Sequence, residues 1–147
     1  MGFGDEIGAW TDKAQRRIRL FKKKIALDVF RRVIMRTPVG YPPSWQHKAP
    51  KGYVGGHARA NWQTSVGSPA DGTVESTDVN GPLNQMLPGM AAVDGDESIF
   101  LTNNLPYINR LEYGWSGQAP EGMVGITVAE FNGIAEEAMA QVKKEET

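Results

Sequence analysis

Apolar residues recur every three or four positions along the first quarter of the chain, which predicts one long amphipathic helix from about Asp5 to Arg36. The recurring residues are Ile7, Trp10, Ala14, Ile18, Phe21, Ile25, Val29 and Val33. Thr37-Pro38 ends the helix, because a residue before proline avoids the α region. At about 1.5 Å per residue, such a helix is longer than a domain of this size is wide. We therefore expect part of it to project and to pack on a neighbouring subunit.

The following segment, residues 37–58, is rich in proline and glycine and predicts an extended loop. It carries three aromatic residues, Tyr41, Trp45 and Tyr53. Long loops are usually functional or disordered, and aromatic residues argue against disorder. We predict that these three residues belong to an interface with another protein.

Two short strands are predicted after the loop. Alternating residues Ala60, Trp62, Thr64 and Val66 indicate a strand within 58–66, and residues 98–103 form an apolar run typical of a buried strand. A weaker strand is predicted at 73–79, and a helical turn near 83–87. The order of helix, strands and helices, without a repeated βα unit, favours an α+β domain with a small antiparallel sheet.

Two further helices are predicted in the last third. The first spans 106–113, with Pro106 in its first turn and Gly114 at its C-cap. The second spans about 127–144, with Thr127 and Glu130 as a capping box. Its expected buried face consists of Val128, Phe131, Ile134, Ala135, Ala138 and Val142.

One domain over residues 1–147 accommodates these elements, with a projecting helix at 5–36, an extended loop at 37–58, and the sheet with its helices at 59–147. We predict that Trp62, Tyr107, Leu111 and Tyr113 form the core between the sheet and the short helix.

The net charge of −1 conceals an asymmetry along the chain. Residues 1–36 contain ten of the 16 Lys and Arg and four of the 17 Asp and Glu, so they carry +6 and the rest carries −7. Such a chain can bind anions or meet a copy of itself head to tail. Arg16, Arg17, Lys22 and Lys23 are candidate interface residues, although a solvated basic helix face is an equal alternative. No apolar run predicts a membrane span or a signal peptide.

Candidate chemistry is sparse, so we expect no enzyme, no cofactor, no metal site and no catalytic residue. The absence of cysteine excludes disulfides and thiolate ligands. His47 and His57 lack the spacing of a helical ligand pair. Glu112, the one acid inside an apolar motif, is expected to form an ion pair with Arg59 or Arg110 rather than to act as a base.

Four segments, in this order and spacing, resemble a family of tailed-phage proteins. They are Thr37-Pro38-Val39, then His57-Ala58-Arg59-Ala60-Asn61-Trp62, then Thr102 to Ser116 with Asn103, Asn104, Pro106 and Leu111-Glu112-Tyr113-Gly114, and lastly Gln118-Ala119-Pro120-Glu121-Gly122-Met123-Val124. The family comprises the neck and tail-completion proteins of long-tailed siphophages, also described as head–tail joining or minor tail proteins. This chain departs from the family pattern after Val39, where about fifteen residues replace a short turn.

This resemblance implies a virion structural protein at the head–tail junction, made in the host cytoplasm. It implies a ring, expected to be a hexamer, that contacts other connector and tail proteins while DNA passes nearby without specific binding. A tail terminator or another minor tail protein is the alternative within this class. A nucleic-acid-binding protein that uses Arg16, Arg17, Arg19, Lys22, Lys23 and Lys24 is the alternative from another class, although these residues spread around the helix rather than lining one groove.

Overall fold

The long N-terminal helix, α1, begins at Phe3 and ends at Arg36 in the computed structural model, which describes residues 2–40, 51 and 54–145. Asp5 accepts a hydrogen bond from the backbone N–H of Gly2, so an acid neutralises the positive end of the helix. Thr37 adopts an extended conformation before Pro38, as the sequence predicts. The prediction of a single helix over 5–36 is confirmed.

Seven shorter elements follow α1 within the described residues. They are α2 (His57–Ala60), β1 (Gln63–Val66), α3 (Gly81–Gly89), β2 (Ile99–Thr102), α4 (Ile108–Glu112), α5 (Val124–Ala129) and α6 (Phe131–Glu145). The two strands pair antiparallel, with Gln63 opposite Thr102 and Val66 opposite Ile99. The predicted α+β class, with a small antiparallel sheet and a C-terminal helix, is therefore confirmed.

The core forms around the C-terminal half of α1. Its buried side chains come from four parts of the chain: Ala26, Phe30, Val33, Ile34, Trp62, Met86, Met90, Ala119 and Met123. Helix α3 packs on β1, and the side-chain amide of Gln85 both accepts from the backbone N–H of Thr64 and donates to its carbonyl, each at 2.9 Å. This amide satisfies backbone groups at the outer edge of β1, which would otherwise be open to another strand.

The predicted strand over 58–66 is wrong in its first half. Residues 57–60 form helix α2, which follows Gly56 at a φ of +107°. Both Ala58 and Ala60 are buried, so the alternation that suggested a strand is a helical turn packed against the core. The described residues 73–79 form no strand, because Asn61 binds both backbone groups of Val74 through its side chain.

The predicted helix over 127–144 is two helices that meet at Glu130. The capping box is wrong, since Thr127 lies inside α5 and Glu130 forms ion pairs with Arg32 and Arg36 of α1. Among the predicted face residues, Ile134, Ala138 and Val142 are buried and Ala135 is half-buried, whereas Val128 and Phe131 are exposed because the chain bends between them.

The predicted short helix exists as α4, and Pro106 lies in the turn that precedes it. Gly114 follows it at a φ of +87°, which confirms the glycine cap. The predicted aromatic core is only partly correct. Trp62 is buried and Leu111 packs against the core, but Tyr107 is exposed and Tyr113 is 84% exposed. Helix α4 is too short to bury more than one side, so these two tyrosines face outward.

None of the helices in the described part of the chain is both long and apolar enough to cross a membrane.

Candidate functional site: the motif cluster and the exposed part of α1

The sequence motifs converge on the C-terminal end of α1. The hydroxyl of Thr37 donates to the carbonyl of Val33 at 2.8 Å and accepts from the indole N–H of Trp62 at 2.7 Å. The guanidinium of Arg59 donates to the carbonyls of Met35 and Thr37, both at 3.0 Å. A cation thus binds carbonyls at the negative end of the long helix. Burial lowers the pKa of Arg59 from its ordinary value.

The first and last motifs are joined by one side-chain amide. Gln118 accepts from the backbone N–H of Val39 at 3.1 Å and donates to the carbonyl of Val39 at 2.8 Å. A side-chain amide here makes the pair of hydrogen bonds that a neighbouring strand would make. It fixes the chain just after α1 against the turn before α5.

Three asparagines elsewhere in the cluster also bind backbone groups of other segments through their side-chain amides. Asn61 is fully buried and donates to the carbonyls of His57 and Val74. Asn103 donates to the carbonyl of Ala58, and Asn104 donates to those of Ala70 and Gly72, all at 2.9 Å. Strand β2 ends at Thr102, so Asn103 and Asn104 directly follow the end of a strand. Their side chains also attach two distant segments.

Glu112 caps helix α5 rather than pairing with Arg59 or Arg110, which corrects the predicted ion pair. Its carboxylate accepts from the backbone N–H groups of Met123, Val124 and Gly125 at 2.8–2.9 Å. Burial by itself raises the pKa of Glu112, but the three N–H groups outweigh it and hold that pKa below its ordinary value. The acid therefore supplies charge to a helix N-terminus, where anions are stabilised.

The remaining motif residues bring the turn before α5 close to α4. A Cβ atom at Gly114 would lie 2.5 Å from the carbonyl oxygen of Pro120, and one at Gly122 would lie 2.2 Å from that of Glu112. Met123 is fully buried in the core. Polar side chains of the motifs thus bind backbone groups of distant segments, which is a means of holding loops in place.

An open groove of about 800 Å³ borders this cluster. Tyr107, Arg110 and Trp115 line one side, with the Arg110 guanidinium 4.9 Å from the centre of the Trp115 ring. The hydroxyl of Tyr107 lies 3.5 Å from Nδ1 of His57. Gly40, the last described residue before residues 41–50, also lines the groove.

The other predicted interface residues lie in two places. Tyr41, Trp45 and Tyr53 lie outside the described residues. Arg16 and Arg17 are exposed on α1, whereas Lys22 and Lys23 are half-buried. Lys22 donates to the carbonyl of Glu97, so an intramolecular contact engages part of the predicted basic surface.

Two more basic residues of α1 bind acids of the same chain. Arg19 pairs with Asp94, and Lys24 pairs with Glu145 at 2.7 Å. From Gly2 to Ile18, by contrast, every residue except Ala14 is exposed. Five apolar residues lie on one side of this exposed half of α1. We call them the α1 stripe: Phe3, Ile7, Trp10, Ala14 and Ile18.

Sequence reasoning missed Arg59, Asn61, Gln85 and Gln118 as structural residues. Three of them stand inside the resemblance motifs, where an amide or a guanidinium among apolar residues indicates a hydrogen-bond partner within the fold. The identity of each partner depends on segments that are distant in sequence.

No protein-family model, curated protein or solved structure matches the chain. Within residues 2–40, 51 and 54–145, no group of three or more His, Asp or Glu is placed to hold a metal ion.

Proposed function

We propose that this chain is a non-enzymatic structural component of a tailed-phage virion, a neck or tail-completion protein that assembles as a ring at the head–tail junction. The observation that carries the proposal is the α1 stripe. Trp10 is 72% exposed and Phe3 is 78% exposed on a helix whose other end is firmly packed. Apolar side chains grouped on one exposed side mark a surface that another protein covers.

The anchored end of α1 supports the same role. The helix is held by the core, by Arg59 at its C-terminal carbonyls, and by the ion pairs of Glu130 with Arg32 and Arg36. A rigid base of this kind presents the exposed half at a defined angle, which an assembly needs for regular contacts between subunits.

The motif resemblance gives the kind of assembly. Thr37, Trp62, Asn103, Glu112 and Gln118 all hold segments of this chain in place, which supports a structural role for the motif residues rather than a catalytic one. The role at the junction, the hexameric ring and the virion location come from that resemblance. A tail terminator or another minor tail protein remains the alternative within this class.

A nucleic-acid-binding role is less well supported. Arg19, Lys22 and Lys24 bind acids or a carbonyl of the same chain, which leaves fewer cations to neutralise phosphates. The wall of a channel through which DNA passes should also carry few basic residues, because their contacts with the phosphates would hold the DNA back. A steep salt dependence of binding to duplex DNA at physiological salt would favour this alternative.

Mass spectrometry and electron microscopy of purified particles test the proposal. Virions are prepared from a phage that encodes the chain with a C-terminal tag, and an antibody labels the tag. We expect the chain in the purified particles, with the label at the junction of head and tail. Particles that contain no copy of the chain, or label elsewhere, would contradict the proposed function.

A further inference from the structure

A second exposed apolar surface lies at the bend between α5 and α6. It consists of Val124, Val128 and Phe131, which we call the α5–α6 patch, and Val128 is 61% exposed. Val124 and Val128, four residues apart, lie on one side of α5, and Phe131 is exposed at the beginning of α6, directly after the bend. Like the α1 stripe, this patch is more apolar than a solvated surface requires.

The stripe and the patch of one chain are too far apart to meet. Glu130, at the bend, is bound to Arg32 and Arg36. Trp10 precedes Arg32 by 22 residues, or roughly 33 Å along the helix axis at about 1.5 Å per residue. Because α1 is a single unbroken helix, these two surfaces can come together only between separate copies.

Their charges are complementary. Residues 13–24 contain seven Lys and Arg and no Asp or Glu, although Arg19, Lys22 and Lys24 bind groups of the same chain. Residues 111–142 contain five Glu and no Lys or Arg, although Glu112 and Glu130 are bound within the chain. Lys13 and Arg17 are exposed at one edge of the stripe, and Glu121, Glu136 and Glu137 are exposed in the turn before α5 and on α6. Opposite charges around apolar contacts increase association and fix orientation.

We infer that the α1 stripe of one copy docks on the α5–α6 patch of a second copy. This contact deepens the proposed assembly role and rests on it. The two surfaces differ, so each copy uses its stripe toward one neighbour and its patch toward the other. Such a heterologous contact produces a closed ring when the rotation between copies closes.

Thiol cross-linking tests the contact directly, since the chain contains no cysteine. The full chain is purified as two variants, Ile7→Cys and Val128→Cys, and each is treated with a short bis-maleimide alone and in a mixture. We expect a covalent dimer in the mixture and little in either variant alone. Ala9→Cys, an exposed position on the other side of α1, serves as the matched control in place of Ile7→Cys.

Three results of this experiment would overturn the inference. A covalent dimer from Ile7→Cys alone indicates a symmetric α1–α1 pair. Equal yields with Ile7→Cys and Ala9→Cys indicate random encounter. No product at protein concentrations up to about 1 mM, where even weak association is populated, indicates that the two surfaces do not meet.

A charge placed on the stripe gives a second measurement. Trp10→Glu is expected to weaken self-association, measured by sedimentation equilibrium, by at least about tenfold, because a buried Trp is a common source of binding energy. Ala9→Glu introduces the same charge at the neighbouring position and is expected to weaken self-association far less. Circular dichroism and the melting temperature should match the parent for both variants. An equal effect of the two variants would contradict docking through the stripe.

The outcomes separate this inference from the proposed function. A chain found at the head–tail junction that fails the cross-linking test retains the proposed function and loses the interface. A chain that cross-links as expected but is absent from particles retains the interface and loses the virion role.

Discussion

The substitution Glu112→Gln tests whether one carboxylate holds the beginning of α5 against α4. In the parent, this carboxylate accepts three backbone N–H groups at 2.8–2.9 Å. Gln keeps one acceptor oxygen but loses the charge. It also places an amide N–H₂ group, which is itself a donor, against backbone N–H donors. Geometry and side-chain volume otherwise stay nearly the same, so the change isolates the electrostatic part of the cap.

The expected cost follows from the number and kind of hydrogen bonds. A hydrogen bond to a charged group contributes about 1.5–3 kcal/mol, and loss of an N-cap costs about 0.5–2 kcal/mol. Glu112 is half-buried and Gln retains part of the bonding, so we expect a loss of about 2 kcal/mol. For a chain of this length that corresponds to a melting temperature lower by roughly 4–8 °C.

The pH dependence provides a sharper test. The pKa of Glu112 is held below its ordinary value in the folded protein. The stabilisation is therefore present above the unfolded pKa of about 4.3 and is lost as pH falls through the folded pKa. Protonated Glu112 resembles Gln, so the stability gap between parent and variant should be largest near neutral pH and should shrink as the pH falls below about 4.3. Glu97 and Glu130 also have lowered pKa values, but both proteins share them and they cancel in the difference.

Urea unfolding followed by tryptophan fluorescence measures the gap at each pH. Glu121→Gln is the matched control, because Glu121 is an exposed acid in the turn just before α5. This control should unfold close to the parent. If Glu112→Gln unfolds at the same urea concentration as the parent, or if the gap is unchanged between pH 7 and pH 3, the capping argument is refuted.

Two further predictions concern the motif cluster. Trp62→Ala should lower the free energy of unfolding by about 3–5 kcal/mol, because it leaves a cavity in the core and removes the indole N–H that donates to the Thr37 hydroxyl. Urea unfolding measures this loss. A variant as stable as the parent would contradict the burial of Trp62 in the core. Gly114→Ala should cost more than about 1 kcal/mol, since Gly114 has a φ of +87° and a Cβ atom there would approach the carbonyl of Pro120. Gly133→Ala, in α6 with open space around it, is the control and should be neutral or stabilising by up to about 1 kcal/mol in the same assay.

The sequence by itself determined the features that depend on neighbouring residues. The period of apolar positions and the absence of proline establish α1, and Thr37-Pro38 establishes its end. Gly114 as a cap follows from the conformation that glycine alone adopts easily. The buried positions Ile134, Ala138 and Val142 follow from helical spacing.

Only the tertiary structure decided what depends on partners distant along the chain. Helix α2 replaced part of the predicted strand because its two alanines pack against the core, and the last helix broke at Glu130 because that acid binds Arg32 and Arg36. Glu112 found three backbone N–H groups rather than an arginine. The local sequence pattern shows which side chains are apolar, whereas packing between segments distant along the chain determines which elements cover them. For the same reason, the sequence predicted the long helix, while its exposed stripe became evident only once the rest of the fold was in place.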